Sequence, residues 1–188
     1  PFYVMDYVEG RVFSRPELPE VDKSERRAIY MAMIETMARL HKVDYNAVGL
    51  GDFGKPDNYI GRQVKRWSQQ YEASKTGENK PMEELMRWLP ENMPKEDETA
   101  IAHGDFRLGN LMLHPDRSEV VAVLDWELST LGHPLADLGY CCLSYHTPSG
   151  QFGTRGFGAS PEDLGIPTEE ELVARYCELT GRSGIPNW

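Results

Sequence analysis

The feature that most narrows what this chain can fold into is a short polar segment, His103-Gly-Asp-Phe-Arg-Leu-Gly-Asn110, held between apolar runs. Thr99 to Ala102 leads into it and Leu111-Met112-Leu113 leaves it. A turn-like stretch from His114 to Glu119 follows, then the β-branched run Val120 to Leu124. Apolar runs this short, bounded by turn formers, read as strand, turn, strand. Pairing Met112 with Val123 in an antiparallel ladder sets Asn110 opposite Asp125 and leaves the turn at the far end. An amide oxygen and a carboxylate are then expected at the open mouth of a hairpin, with Asp105 in the tight loop just before it. Mg²⁺ takes a few hard oxygens from protein and shares the rest of its shell with phosphates and water. A further carboxylate able to accept a hydroxyl proton would complete a phosphoryl-transfer site. Singly, each residue has a plainer reading: the His-Gly-Asp triplet as a turn, Asp125 as a strand cap, Asn110 as an Asx turn. Their joint placement on one hairpin carries the functional reading.

Helical patterns surround this segment. Asp22 and Glu25 have capping-box spacing, and Ile29, Met33, Thr36, Met37 and Leu40 form one stripe, which predicts a helix over 23–41. Asp57 is the expected cap of a second helix with Ile60, Val64, Trp67 and Tyr71 on its face. Asn79-Lys80-Pro81 opens a third, with Met82, Leu85, Met86 and Leu89, that Pro90 ends. These stripes are expected to pack in the core. Pro134 opens a further helix with Leu135, Leu138, Cys142 and Leu143 facing inward. Residues 147–167, rich in Gly and Pro, read as loop. Thr168 and Glu171 form a second capping box for a helix over 169–180, closed by Gly181. Residues 2–5 read as a short strand.

Composition excludes several classes of function. In 188 residues there are 20 basic and 30 acidic side chains, a net charge of −10. No basic stripe offers itself to a nucleic-acid backbone. No apolar run approaches the ~18 residues a spanning helix needs. Cys141, Cys142 and Cys177 are an odd count with two adjacent, a poor disulfide framework, so a reducing intracellular compartment is expected. They fall on apolar helix faces and read as inert core thiols. His41, His114, His133 and His146 have no companion at zinc-ligand spacing. His103 reads as a loop-fixing hydrogen bonder, the alternatives being a base or a ligand. The first residue is Pro1, which suggests a fragment or a processed product.

His103-Gly-Asp-Phe-Arg-Leu-Gly-Asn110 with Val-Leu-Asp125-Trp-Glu-Leu-Ser-Thr-Leu-Gly-His-Pro134-Leu-Ala-Asp137-Leu resembles the aminoglycoside phosphotransferase and choline kinase superfamily. The closer likeness is to the kinase-like domain of acyl-CoA dehydrogenase family members 10 and 11 and its free-standing bacterial relatives. It extends to Phe-Tyr-Val-Met-Asp-Tyr at 2–7, Arg-Arg-Ala-Ile-Tyr at 26–30 and Leu40-His41. The resemblance implies an α+β, protein-kinase-like fold, of which residues 1–188 are the mostly helical larger lobe with a catalytic hairpin. The small N-terminal β lobe is absent from this sequence. It implies ATP and Mg²⁺, a small-molecule hydroxyl acceptor, and fusion to or association with an acyl-CoA dehydrogenase in relatives. The compartment would be the cytoplasm for a bacterial chain, and mitochondrion or peroxisome for one of the eukaryotic branch.

By position, Asp105 matches the catalytic-loop aspartate, Asn110 and Asp125 the two Mg²⁺ ligands, and Asp137 a buried aspartate that braces the loop. His103 matches a structural histidine, and Met5, Asp6 and Tyr7 the hinge whose backbone meets adenine. Arg107 and Glu127 are candidate substrate or phosphate contacts. Gly109 departs from the Asp of many relatives and is expected to loosen the loop without disturbing the metal shell. The acceptor implied by this branch is a hydroxyacyl-CoA. A cationic acceptor such as an aminoglycoside or choline, and a catalytically silent binding module, are the alternatives. Phe152 and Phe157 in the 147–167 loop are candidates for an apolar acceptor channel or for simple anchoring of that loop.

Overall fold

The computed structural model describes residues 6–94, 98–149 and 156–188. The expected strand at 2–5, the hinge residue Met5 and Phe152 lie outside the described residues. The described residues form six α-helices: α1 (Lys23–His41), α2 (Tyr59–Ser74), α3 (Lys80–Trp88), α4 (Pro134–Cys142), α5 (Pro161–Leu164) and α6 (Glu169–Thr180). Four short strands form two antiparallel pairs. β1 (Ala100–Ala102) pairs with β4 (Thr130–Gly132), and β2 (Leu111–Leu113) with β3 (Val120–Val123). Helix α1 and helix α6 start where their caps specify. The Asp22 carboxylate accepts from the Glu25 N–H, and both halves of the Thr168/Glu171 capping box form. Gly181 closes α6 at a left-handed φ of 77°.

The core lies where α1, α4 and α6 close over the hairpin. Ile29, Met33, Ile34 and Met37 of α1 meet Leu138 of α4, Leu172 and Tyr176 of α6, and Leu111 and Leu113 of β2. Arg175 of α6 reaches Glu35 of α1 at 2.6 Å, and Arg27 of α1 grips Glu171 with two hydrogen bonds of 3.0 and 2.6 Å. The segment before α1 joins the hairpin. Arg11 exchanges two backbone hydrogen bonds of 2.8 Å with Leu113, its Nε donates to the His114 carbonyl at 3.0 Å, and its guanidinium pairs with Glu25 at 2.8 Å.

Four expectations are corrected. The hairpin register is one residue off: Leu111 pairs with Val123 and Met112 with Ala122, so Asn110 lies across from Leu124 and not Asp125. A bulge between Met112 and Leu113 takes up the odd residue at the turn end. Helix α2 begins one residue later than expected, with Asn58 and not Asp57 at its N-cap; Asn58 is left-handed there (φ 50°) and makes no side-chain cap. The apolar faces of α2 and α3 are not core. Trp67 is 53% exposed and Leu85 44%, and α3 buries no residue. The loop after α4 contains a helical turn, α5, capped by Ser160. The β1–β4 pair was not anticipated.

Gly104 sits where β1 turns into the polar segment. Its φ is +85°, and a Cβ there would lie 2.8 Å from the Leu128 carbonyl oxygen. Both conformation and space therefore demand glycine. Gly104→Ala is expected to cost about 1–3 kcal/mol, read from denaturant unfolding. A variant as stable as the parent would contradict this account of the turn.

Candidate active site

The polar segment is fixed from below by one buried carboxylate. Asp137, in the first turn of α4, is 1% exposed. Its Oδ2 accepts from the His103 N–H at 2.7 Å and its Oδ1 from the Gly104 N–H at 2.8 Å. His41, at the end of α1, donates from Nε2 to the same Oδ2 at 3.1 Å. The other ring nitrogen of His41 shares a 2.8 Å hydrogen bond with the hydroxyl of Tyr176, whose phenol burial pushes up to about 12. Three elements thus converge on one anion, and the backbone entering the loop cannot rotate without breaking two charge-assisted bonds.

His103 ties the loop to the hairpin. Its Nε2–H donates to the Leu124 carbonyl at 2.8 Å, and its Nδ1 accepts from the Asp105 N–H at 3.3 Å. The ring is fully buried and tilted against Trp126, with centroids 4.9 Å apart. Both nitrogens are engaged, so the base and ligand readings of His103 do not fit the geometry.

Asp105 is half-buried and surrounded by donors. Asn110 Nδ2 donates to its carbonyl at 2.9 Å and to its Oδ2 at 2.8 Å. Arg107 Nε reaches both carboxylate oxygens, at 3.2 and 3.3 Å. The Tyr140 hydroxyl also lies against it. Burial first, then the hydrogen bond to Asp105 and its negative charge, raise the Tyr140 phenol to about 12.

Asn110 and Asp125 occupy the same end of the hairpin, because the register shift is only one residue. The Leu124 N–H donates to the Asn110 carbonyl at 2.8 Å, and Asp125 follows directly. Asn110 is buried, and with its NH₂ turned to Asp105 its amide oxygen faces the other way. Asp125 is exposed and left-handed, φ 67° and ψ 54°, an unusual conformation for a non-glycine residue. One amide oxygen and one carboxylate suit a hard cation that completes its shell elsewhere. Among the described residues no group of three or more His, Cys, Asp or Glu could hold a metal by itself. Glu127 is exposed on the short 3₁₀ turn after Asp125. Asp6 and Tyr7 are exposed too, Tyr7 at 90%.

Beside Asp105 opens a cavity of about 80 Å³. Ser14, Tyr30, Met33, Arg107, Tyr140 and Cys141 are among its walls. Burial holds the Cys141 thiol well above the ordinary range and pushes Cys142 up to about 12, which leaves both unreactive. Phe157 packs edge-on against Tyr145 and Tyr30, with centroids 4.8 and 6.2 Å away, and anchors its loop to the core.

A family model described as "Phosphotransferase enzyme family" (APH) matches residues 1–176. The chain belongs to this family. Acyl-CoA dehydrogenase family member 10 of Mus musculus is 48% identical over 189 residues, all of this chain and 18% of the mouse protein. Acyl-CoA dehydrogenase family member 11 of Homo sapiens is 43% identical, again over the whole chain and 24% of the human protein. A Ralstonia eutropha crystal structure, solved under the provisional description of an aminoglycoside phosphotransferase, superposes with a TM-score of 0.91 at 50% identity. It covers 96% of this chain and 55% of its own. The fold is the kinase-like one of the aminoglycoside phosphotransferases. The chain spans a quarter or less of these curated relatives and about half of the Ralstonia protein.

Three parts of this site escaped the sequence reading. The role of His41 is not legible in the sequence, since its partners at 137 and 176 are far along the chain. Tyr140 looked like any helical aromatic, although Asp105 and Tyr140 meet as soon as α4 packs against the loop. The contact of Arg107 with Asp105 carries a faint local signal, a cation two residues from a carboxylate.

Proposed function

We propose that residues 1–188 form the larger lobe of an enzyme that transfers the γ-phosphoryl group of ATP to the hydroxyl of a small molecule, with Mg²⁺. The observation that carries this reading is Asp105. Its carboxylate is oriented by Asn110, Arg107 and Tyr140, the last two of which line the neighbouring cavity, and two oxygen donors lie at the adjacent end of the hairpin. Asp105 takes the proton of the acceptor hydroxyl as that oxygen bonds to the γ-phosphorus and the bond to the ADP oxygen breaks. Asn110 Oδ1 and the Asp125 carboxylate would hold Mg²⁺, which neutralises phosphate charge when bound. Asp137, His41 and His103 keep the loop in one conformation, so little reorganisation accompanies transfer. The hinge role of Met5, Asp6 and Tyr7 toward adenine belongs to the same proposal, as does a phosphate or substrate contact for Glu127.

For the acceptor we favour a hydroxyacyl-CoA over an aminoglycoside or choline. Relatives named as acyl-CoA dehydrogenase family members support it. The cavity supports it as well, being floored by Tyr30, Met33, Cys141 and Leu143 and edged by the cation Arg107, which would repel a cationic acceptor. The full-length protein, Mg²⁺ and labelled ATP should be presented with hydroxyacyl-CoAs, free hydroxy acids, sugars, aminoglycosides and choline. Label is expected on the hydroxyacyl-CoA. Preferential labelling of an aminoglycoside or choline would overturn the acceptor and keep the chemistry. A full-length protein that does not bind MgATP in calorimetric titration would be a silent binding module.

A further inference from the structure

Gly109 is not left-handed, so its backbone does not require glycine. Space does. A Cβ at 109 would lie 2.5 Å from Nη1 of Arg107, with no other atom nearer than 3.5 Å. The only group a side chain at 109 must displace is therefore Nη1, at the tip of the guanidinium whose Nε bonds both oxygens of Asp105. Arg107 is half-exposed and is the only arginine or lysine paired with Asp105 among the described ion pairs. A long, half-exposed side chain has many rotamers, and holding one of them needs a matching surface.

We propose that Gly109 is the seat of Arg107, and that the seated guanidinium is a positioning device for Asp105. It fixes the carboxylate in one orientation beside the cavity that Arg107 and Tyr140 line. This rests on the phosphotransferase reading of the site. Asp105 accepts three kinds of donor: the Asn110 amide, the Tyr140 hydroxyl and the Arg107 Nε–H, shared between its two oxygens. Of these only the Arg107 contact can be removed at a distance, by one methyl group on a neighbouring residue. Gly109 and Arg107 therefore act as one unit, and substitutions at the two positions should not be independent.

The test is a double-mutant cycle in the full-length protein, with phosphoryl transfer to the acceptor turned over in the panel above. Arg107→Ala and Gly109→Ala should each lower kcat about tenfold, with KM for MgATP within about twofold of the parent. The double variant should be no slower than either single one. Effects that multiply to about 100-fold would overturn the proposal, as would a Gly109→Ala enzyme with parental kcat. A second readout needs no activity. The Nε–H signal of Arg107 in side-chain nitrogen–proton NMR should be protected from exchange in the parent. It should lose that protection in Gly109→Ala as it does in Asp105→Ala. Protection that survives Gly109→Ala refutes the seat. If protection behaves as expected and no acceptor or nucleotide is turned over by any variant, the seat stands and the phosphotransferase reading falls.

Discussion

Asp105→Asn should lower kcat of the full-length protein by about 100-fold or more while MgATP affinity stays nearly unchanged. The amide keeps the size of the carboxylate and can still accept from Arg107, but it cannot take the proton of an acceptor hydroxyl. Asp125→Ala should do the opposite. It removes an anionic oxygen from the hairpin mouth, so MgATP should bind much more weakly in calorimetry, and raising Mg²⁺ should recover part of the loss. The contrast is the prediction. If both variants change nucleotide affinity alike, the division into proton acceptor and metal ligand is wrong, and the pair acts as one electrostatic patch.

Asp137→Ala is expected to have the largest effect on stability. It would leave the His103 and Gly104 N–H groups and His41 Nε2 facing a buried void. Breaking a buried network of this kind costs about 3–5 kcal/mol. For a domain of this size that corresponds to a fall in Tm of about 6–20 °C. Asp137→Asn should be nearly as damaging, since an amide presents NH₂ to one of two backbone N–H groups that both need an acceptor. Circular dichroism melts of both variants decide it, and a fall of less than about 2 °C would show that the loop is held by something other than Asp137.

What could be read from the sequence follows the range of the forces involved. Helices α1 and α6 were legible because a cap and a stripe are written in adjacent residues: Asp22 with Glu25, Thr168 with Glu171. The strand–turn–strand order was legible for the same reason. The register was not, because counting back from a turn fails by one when a bulge intervenes, as it does between Met112 and Leu113. Strand β4 is three residues, Thr-Leu-Gly, and becomes a strand only through Ala100–Ala102, about thirty residues earlier. The stripes of α2 and α3 specified a face but could not specify what covers it, so Trp67 and Leu85 were assigned to a core they do not enter. Asp105, Asn110 and Asp125 could be nominated together because a hairpin fixes their ends. Tyr140 and His41 meet the loop only through helix packing, which no local pattern encodes.

The attachment of Arg11 has a mechanical consequence. Its backbone is stitched to Leu113 and its side chain to His114, all at the turn of the hairpin, the end away from Asn110 and Asp125. A pull on residues 6–9 therefore acts against a fulcrum remote from Asn110 and Asp125. A tug along the chain is absorbed by the Arg11 bonds and the ion pair to Glu25, while the oxygen donors at the opposite end keep their spacing. Gly10 presses against Met112 so closely that a methyl group would collide with it, which makes this fulcrum a tight one.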